Sequence, residues 1–269
     1  MLDSISPSAE KPTLVVQDWL RLKIPMDVLP APKISLEDLK LAHDAQYIAD
    51  VLEGRRPNGF NNTDPAVAQS CLYTVGAMLA AADRALQNRQ VAVAPVAGFH
   101  HAYHADGHGF CTFNGLMVTA MALHRSGKVQ RVGILDLDQH YGDGTDDIIE
   151  HFKLGWVSHY SAGRKHRDAS DAAAFLLELP KIMATFSNCD LLLYQAGADP
   201  HVNDLLGGWM RTAELRTRDR IVFTCAQDMQ LPLAWNLAGG YQRDRRGGIE
   251  PVLEIHRNTM QECRRIFAL

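Results

Sequence analysis

VGILDLDQHYGDGT, residues 132–145, is the stretch on which the fold turns. It begins as an apolar, β-prone run over Val132–Leu137 and passes into Asp138-Gln-His140-Tyr-Gly-Asp143-Gly. A helical pattern over about Thr145–Phe152 follows. A strand that empties into titratable residues just before a helix is the first half of a strand–helix–strand unit. The same event recurs along the chain. Apolar runs lie at Val91–Val96, Trp156–His159, Leu191–Ala196 and Leu233–Ala238, and helical patterns lie at about Gly115–Arg125, Ser170–Phe186, Thr212–Met229 and Pro251–Phe267. Near-continuous apolar strands alternating with helices predict an α/β fold: a mostly parallel central sheet with helices on both faces. Such sheets bind ligands at the carboxyl ends of their strands.

Four strand ends can be compared on that basis. The run ending at Val96 leads to Gly98-Phe-His100-His101, and the run ending at Leu137 leads to Asp138 and His140. The run ending at Ala196 leads to Gly197-Ala-Asp199, and that ending at Ala238 leads to Gly239-Gly-Tyr241. The titratable groups thus gather at one sheet edge, where chance would scatter them over both. Upstream, Ser35-Leu-Glu-Asp38 predicts a capped helix start running to about Leu52. Asp64-Pro65 predicts a second start, with an Ala-rich helix to about Leu86. The proline-rich first 34 residues read as an irregular lead-in with one short helix near Val16–Leu22, and residues 35–269 as the single domain that carries these strand ends.

Composition narrows the class. Of 269 residues, 46% are apolar and 22% charged, as in ordinary globular proteins. The net charge of −4 gives no basic excess for nucleic acid. No apolar run is long enough for a bilayer, and the first residues lack the basic and apolar regions of a secretion signal. Five scattered cysteines without a CxxC argue against a disulfide framework and a thiolate zinc site, and point to a reducing cytoplasm.

Residues i and i+2 of a strand face the same side, so Asp136, Asp138 and His140 can converge near one strand end. Asp138 and His140 offer a hard oxygen and an imidazole nitrogen, and Asp199 from another strand end is the candidate third ligand. Three protein ligands with an open remainder is the pattern of a catalytic metal site. Two carboxylates and one imidazole suit Zn²⁺, and also Fe²⁺ or another divalent ion. Adjacent histidines such as His100 and His101 can supply the base and the acid that amide hydrolysis needs. Each needs a carboxylate to fix its tautomer, and Asp136 and Asp143 are available. Tyr241, after two glycines, is a candidate oxyanion donor. Phe110, in Gly107-His-Gly109-Phe110-Cys111, is a candidate apolar wall, with Gly109 allowing close approach. Cys111 reads as a buried small hydrophobe. His104 and His108 read as solvated loop residues, and His201 as a supplementary metal ligand at most.

Four segments, GFHHAYHADGHGFCTFNG (98–115), DLDQHYGDGT (136–145), QAGADPHVNDLLGG (195–208) and LAGGYQRD (237–244), resemble in content and order the signature blocks of the histone deacetylase superfamily. That superfamily includes acetoin-utilisation proteins and acetylpolyamine amidohydrolases on the arginase–deacetylase fold. The resemblance spans roughly residues 35–260. It implies that Asp138, His140 and Asp199 are the zinc ligands, that His101 is the general base, and that Asp136 and Asp143 orient His100 and His101. It further implies that Tyr241 polarises the scissile carbonyl, that Phe110 and Gly109 line an acyl-lysine tunnel, and that a structural monovalent cation sits near the strand of Asp136. The implied substrate is an acylated lysine or acylated amine, most simply acetylated.

The chain departs from that pattern in three places. The N-terminus is short for the usual opening strand and rim. The loop after His159 lacks the usual second aromatic wall, for which Tyr160 is the nearest substitute. Tyr141 stands where a second histidine is common. A shorter rim implies a more open site, or one completed by a neighbouring subunit in a homo-oligomer. Two other readings follow from the same residues: a non-catalytic, metal-containing acyl-lysine-binding protein, which has no need of His100, His101 and Tyr241, and an arginase-type ureohydrolase, which needs a second metal and further ligands.

Overall fold

The computed structural model describes residues 6–166 and 168–268. Five strands form one parallel sheet: β1 (Val91–Ala94), β2 (Val132–Asp136), β3 (Val157–Ser161), β4 (Leu191–Gln195) and β5 (Leu233–Asn236), in the order β1-β5-β4-β2-β3. Helices α1 (Lys11–Arg21), α2 (Leu36–Leu39), α3 (Ala45–Leu52), α4 (Pro65–Asn88), α5 (Gly115–Arg125), α6 (Asp143–Phe152), α7 (Asp171–Ala184), α8 (Thr212–Asp228) and α9 (Glu250–Phe267) cover it. Alternation along the strands divides the core into two layers. Val132, Ile134, Leu191, Leu193 and Ala234 pack with α3, α4 and α5, whereas Leu135, Leu192, Tyr194, Leu233 and Trp235 pack with α1, α7, α8 and α9. The central strands β2, β4 and β5 are therefore buried on both sides, which is why their sequences read as continuous apolar runs rather than alternating ones, whereas the edge strand β3 (VSHYS) is partly polar.

The predicted Asp64-Pro65 start opens α4, where the Asp64 carboxylate accepts from the Ala66 N–H at 2.8 Å. This helix is long and apolar enough in composition to cross a bilayer, but its apolar face packs on β1, β5 and α5, as in a core helix. Two expectations change. The helix expected from Ser35 to Leu52 is two helices, because Asp44 caps a second start by accepting from the Tyr47 N–H at 2.8 Å. The lead-in holds an eleven-residue helix, α1, that begins five residues before the expected one and packs on α9 with Val15 and Trp19 buried.

The clip between α1 and α9 is ionic. Asp18, with its side chain only 3% exposed, accepts from Arg21 Nη2 at 2.6 Å and from Arg257 Nε and Nη2 at 2.8 and 3.0 Å. Burial pushes the Asp18 carboxyl up, but the bonds from Arg257 and Arg21 outweigh it and hold it below the usual carboxylate range. A depressed carboxylate contributes stability above its unfolded pKa and loses it as the pH falls through the folded one. Arg257→Met should therefore cost about 2 kcal/mol at neutral pH, read from urea midpoints, and the gap from wild type should close in acid. A gap that persists in acid would assign the loss to packing.

Candidate active site

The last residue of each central strand turns a polar side chain toward the α4–α5 side. Asp136 ends β2, Gln195 ends β4 and Asn236 ends β5, and all three are fully buried. Gln195 Nε2 donates to Asp136 Oδ1 at 3.0 Å, and Gln195 Oε1 accepts from the Phe99 N–H at 3.2 Å. Asn236 Nδ2 donates to the Ala97 carbonyl at 3.3 Å. These side chains tie the segment after β1, which carries His100 and His101, to the ends of β2, β4 and β5. Neither amide stood out in the sequence, since each looks like an ordinary strand-end residue.

Asp138, His140 and Asp199 converge beyond these strand ends. Their ligand atoms lie within 4.8 Å of one another, and they form the one such group of three among the described residues. His140 Nδ1 lies 3.0 Å from Asp199 Oδ2 and 3.2 Å from Asp138 Oδ1. The remaining carboxylate oxygens are held by backbone: Gly239 N–H donates to Asp138 Oδ2 at 2.9 Å, and Gln139 N–H to Asp199 Oδ1 at 3.2 Å. Both carboxylates are buried, while His140 is one-third exposed and forms the open side. Burial and the adjacent charge of Asp138 lift the Asp199 carboxyl above the usual carboxylate range. Two buried carboxylates aimed at one point call for a cation between them, and two oxygens and one nitrogen with an open side suit a first-row divalent ion. The donor set fits the expected metal.

The histidine pair sits beside it, with ring centroids 4.0 Å apart. His100 Nδ1 donates to Asp136 Oδ2 at 2.7 Å, and His101 Nδ1 to Asp143 Oδ1 at 2.7 Å, so the two carboxylates and two imidazoles pair as expected. The rings differ in surroundings. His100 is enclosed, and its Nε2 lies 3.7 Å from Asp138 Oδ1. Burial disfavours its charge, but Asp136 and Asp138 outweigh burial and raise it to about 9. His101 is 19% exposed, lies 5.9 Å from the His140 ring, and is lowered by burial and by His100. Gly109, at φ +52°, packs on the His101 ring: a Cβ there would sit 2.6 Å from Cδ2, so only glycine fits.

Tyr241 is buried, and its N–H donates to Asp204 Oδ2 at 2.8 Å. Its phenol is raised well above its ordinary value by burial and by the charges of Asp199 and Asp138, so it stays protonated. The Phe110 ring lies 5.7 Å from Tyr241 and 6.0 Å from Phe60. Behind Phe110 is a cavity of about 420 Å³ whose walls include Pro12, Phe60, Cys71, Gly98 and Phe99. Phe60 and Tyr241 are thus the aromatic companions of Phe110. Tyr160 is not: it packs on the opposite side of the sheet, with its hydroxyl 3.3 Å from His166 Nε2.

Other histidines stand apart. His201 Nε2 meets Thr212 Oγ1 at 3.0 Å and its Nδ1 accepts from the Asn203 N–H at 3.2 Å, so both ring nitrogens are engaged away from the metal group. His104 bonds the Ala42 carbonyl and stacks on His151, and His108 pairs with Asp106 at the surface. Cys111 is buried and its thiol is pushed up by burial, as suits a packing residue. The sequence reading missed Lys11. Its side chain is buried and donates to the Ala238 carbonyl, at the head of the turn that carries Tyr241. Burial lowers the ammonium to about 8 against the raising charges of Asp199, Asp138 and Asp204.

The family profile described as the histone deacetylase domain matches residues 9–165, more than half of the chain. Among curated relatives, an uncharacterized protein of Picosynechococcus is 28% identical over 228 residues, covering 77% of this chain and 76% of that protein. Histone deacetylase 2 of Arabidopsis thaliana is 26% identical over 261 residues, covering 86% of this chain and 66% of that protein. Among solved structures, the HDA15 HD domain superposes with a TM-score of 0.75 at 18% identity, covering 94% of this chain and 81% of that one. Acetylpolyamine aminohydrolase from Burkholderia pseudomallei superposes with a TM-score of 0.73 at 17% identity, covering 96% and 90%. At those identities the likeness to the solved structures is one of fold.

Proposed function

Because the chain belongs to the histone deacetylase family, we propose that it hydrolyses an N-acyl amide, acetyl in the first instance, on a lysine side chain or a small amine. The observation that carries this reading is the convergence of Asp138, His140 and Asp199 beside two imidazoles that are each tied to their own carboxylate. Asp138, His140 and Asp199 would hold Zn²⁺, or Fe²⁺ or another divalent ion, which when bound acidifies water and polarises the substrate carbonyl.

The remaining work belongs to side chains. His101, fixed through Nδ1 by Asp143, takes the proton of the attacking water and returns it to the departing nitrogen as the C–N bond breaks. The products are a carboxylate and a free amine. His100, enclosed between Asp136 and Asp138, holds its own proton and keeps positive charge beside the reacting carbonyl. Tyr241, protonated in its buried setting, donates to the carbonyl oxygen as negative charge develops there. Phe110, with Phe60 beside it, guides the apolar stem of the substrate. A reducing cytoplasm is part of this reading, on the scattered cysteines of the sequence. The reading gives no role to nucleic acid or a bilayer.

The test is a panel of acetyl-lysine peptides, acetylpolyamines and amides with longer acyl groups, offered to the metal-loaded protein. Release of the carboxylate from at least one is expected. Tyr241→Phe should then lower kcat by about 10²–10³-fold with little change in KM. No release from any member, with Asp138→Asn indistinguishable from wild type, would refute the reading.

A further inference from the structure

One buried imidazole near the site has no part in the mechanism above. His159 lies on β3, one strand outward from β2. Its side chain is only 4% exposed. Nδ1 donates to Asp146 Oδ1 at 2.7 Å, whereas Nε2 is buried and has no hydrogen-bond partner among the described residues. A core histidine ordinarily engages both nitrogens, because an unpaired buried polar atom costs free energy. The free nitrogen therefore invites a local explanation, and three features of its surroundings supply one.

The first is its place across Gly142 from Asp136. Strand register pairs Ile134 with His159 and Asp136 with Ser161, so His159 and Ser161 share the sheet face of Asp136. Between them passes Gly142, whose N–H donates to Ser161 Oγ at 3.0 Å. A Cβ on Gly142 would sit 2.5 Å from Asp136 Oδ2 and 3.3 Å from His159 Nε2. The Asp136 carboxylate and the free nitrogen of His159 thus flank the same glycine, and any side chain there would drive them apart. Oδ2 is also the oxygen that receives the His100 Nδ1 proton.

The second is its contact with α6. Asp146 stands in its first turn, three residues after Asp143, the carboxylate that holds His101. The third is a brace on Asp146 itself, which also receives the Tyr141 hydroxyl and Arg164 Nη1, the latter at 3.4 Å. His159 is consequently one residue removed from the supports of both imidazoles: Gly142 stands between it and Asp136, and Asp146 links it to the turn of α6 that carries Asp143.

We propose that His159 is a positioning residue for the histidine pair, clamping the first turn of α6 to β3 through Asp146 and closing the space around the Asp136 carboxylate with its second nitrogen. This inference rests on the catalytic role assigned to His100 and His101 above. It also gives a physical reason for a histidine whose side chain is buried on the edge strand β3.

The experiment compares His159→Phe, which keeps a ring of similar size but no nitrogen, with His159→Asn, which keeps a donor at the Nδ1 position. On the metal-loaded protein, His159→Phe should lower kcat by about 10–100-fold, with KM within about twofold and bound metal unchanged. His159→Asn should recover most of that loss. Independently of turnover, proton NMR of the wild type should show downfield Nδ1–H resonances for His100 and His101, and both should move in His159→Phe. An unchanged kcat together with unmoved resonances would overturn the proposal while leaving the amidase reading intact. If the wild type hydrolyses nothing, the amidase reading fails, and the resonances alone decide whether His159 positions the pair. If His159→Phe does not fold, Asp146→Asn severs the same clamp and is read in the same two ways.

Discussion

Asp138→Ala will leave a protein with neither a retained divalent ion nor measurable turnover. Asp138 supplies one of the three convergent ligand atoms, and both of its oxygens are already placed by backbone N–H groups of His140 and Gly239. Removing it leaves one imidazole and one carboxylate, too few to hold a catalytic ion against water. It also strands those two N–H groups, so a loss of folding could mimic a loss of ligation. Asp138→Asn separates the two, because its amide oxygen still accepts one bond while the charge is gone. A ligand that binds only the folded state stabilises it by about 2.7 kcal/mol at one hundred times its Kd. For a chain of this size that is a rise in Tm of roughly 5–10 °C. The wild type should show that rise on adding the divalent ion, and Asp138→Asn should not. If Asp138→Asn binds the ion as the wild type does, the ligand assignment is wrong.

The second large effect belongs to His101. Replacing it with alanine should lower kcat by about 10²–10⁴-fold while leaving the metal bound, the range expected for removal of a positioned acid–base group. The choice of His101 over His100 follows from their surroundings. His100 is sealed between Asp136 and Asp138 and favours its charged form, which suits a group that holds a proton. His101 faces the open side next to His140, is lowered by burial and by the neighbouring His100, and so is free to accept one. Asp143→Asn, which loosens His101 without removing it, should cost less, about 10–100-fold. The comparison is read from kcat and metal content measured together. A His101→Ala protein that keeps its metal and most of its kcat would move the base elsewhere.

Much of this site is legible in the sequence. Continuous apolar runs announce strands buried on both faces, and a parallel sheet sends all its strand ends to one edge, so the positions after Val96, Leu137, Ala196 and Ala238 had to meet. Asp138 and His140 are two residues apart at one strand end, and that spacing is local geometry. Asp199 is different: spacing alone left it one acid among many, and only its strand-end position and the family resemblance singled it out.

What the tertiary structure alone decided lies in contacts between distant parts of the chain. Lys11 reaches Ala238, 227 residues away, and nothing in the proline-rich lead-in marks it for that role. The lead-in becomes α1 because Val15 and Trp19 find an apolar surface on α9, a partner that local propensity does not reveal. Gln195 and Asn236 are ordinary strand-end amides until the sheet order places them against Phe99 and Ala97. Tyr160, a plausible channel wall by its position, faces the other side because strand alternation assigns it there. The Asp138–His140 pair is therefore written in short-range periodicity, whereas Asp199 joins it only through the sheet. The shape of the channel above it, and the supports of Lys11, Gln195 and His159 around it, depend on how strands and helices far apart in sequence come to lie side by side.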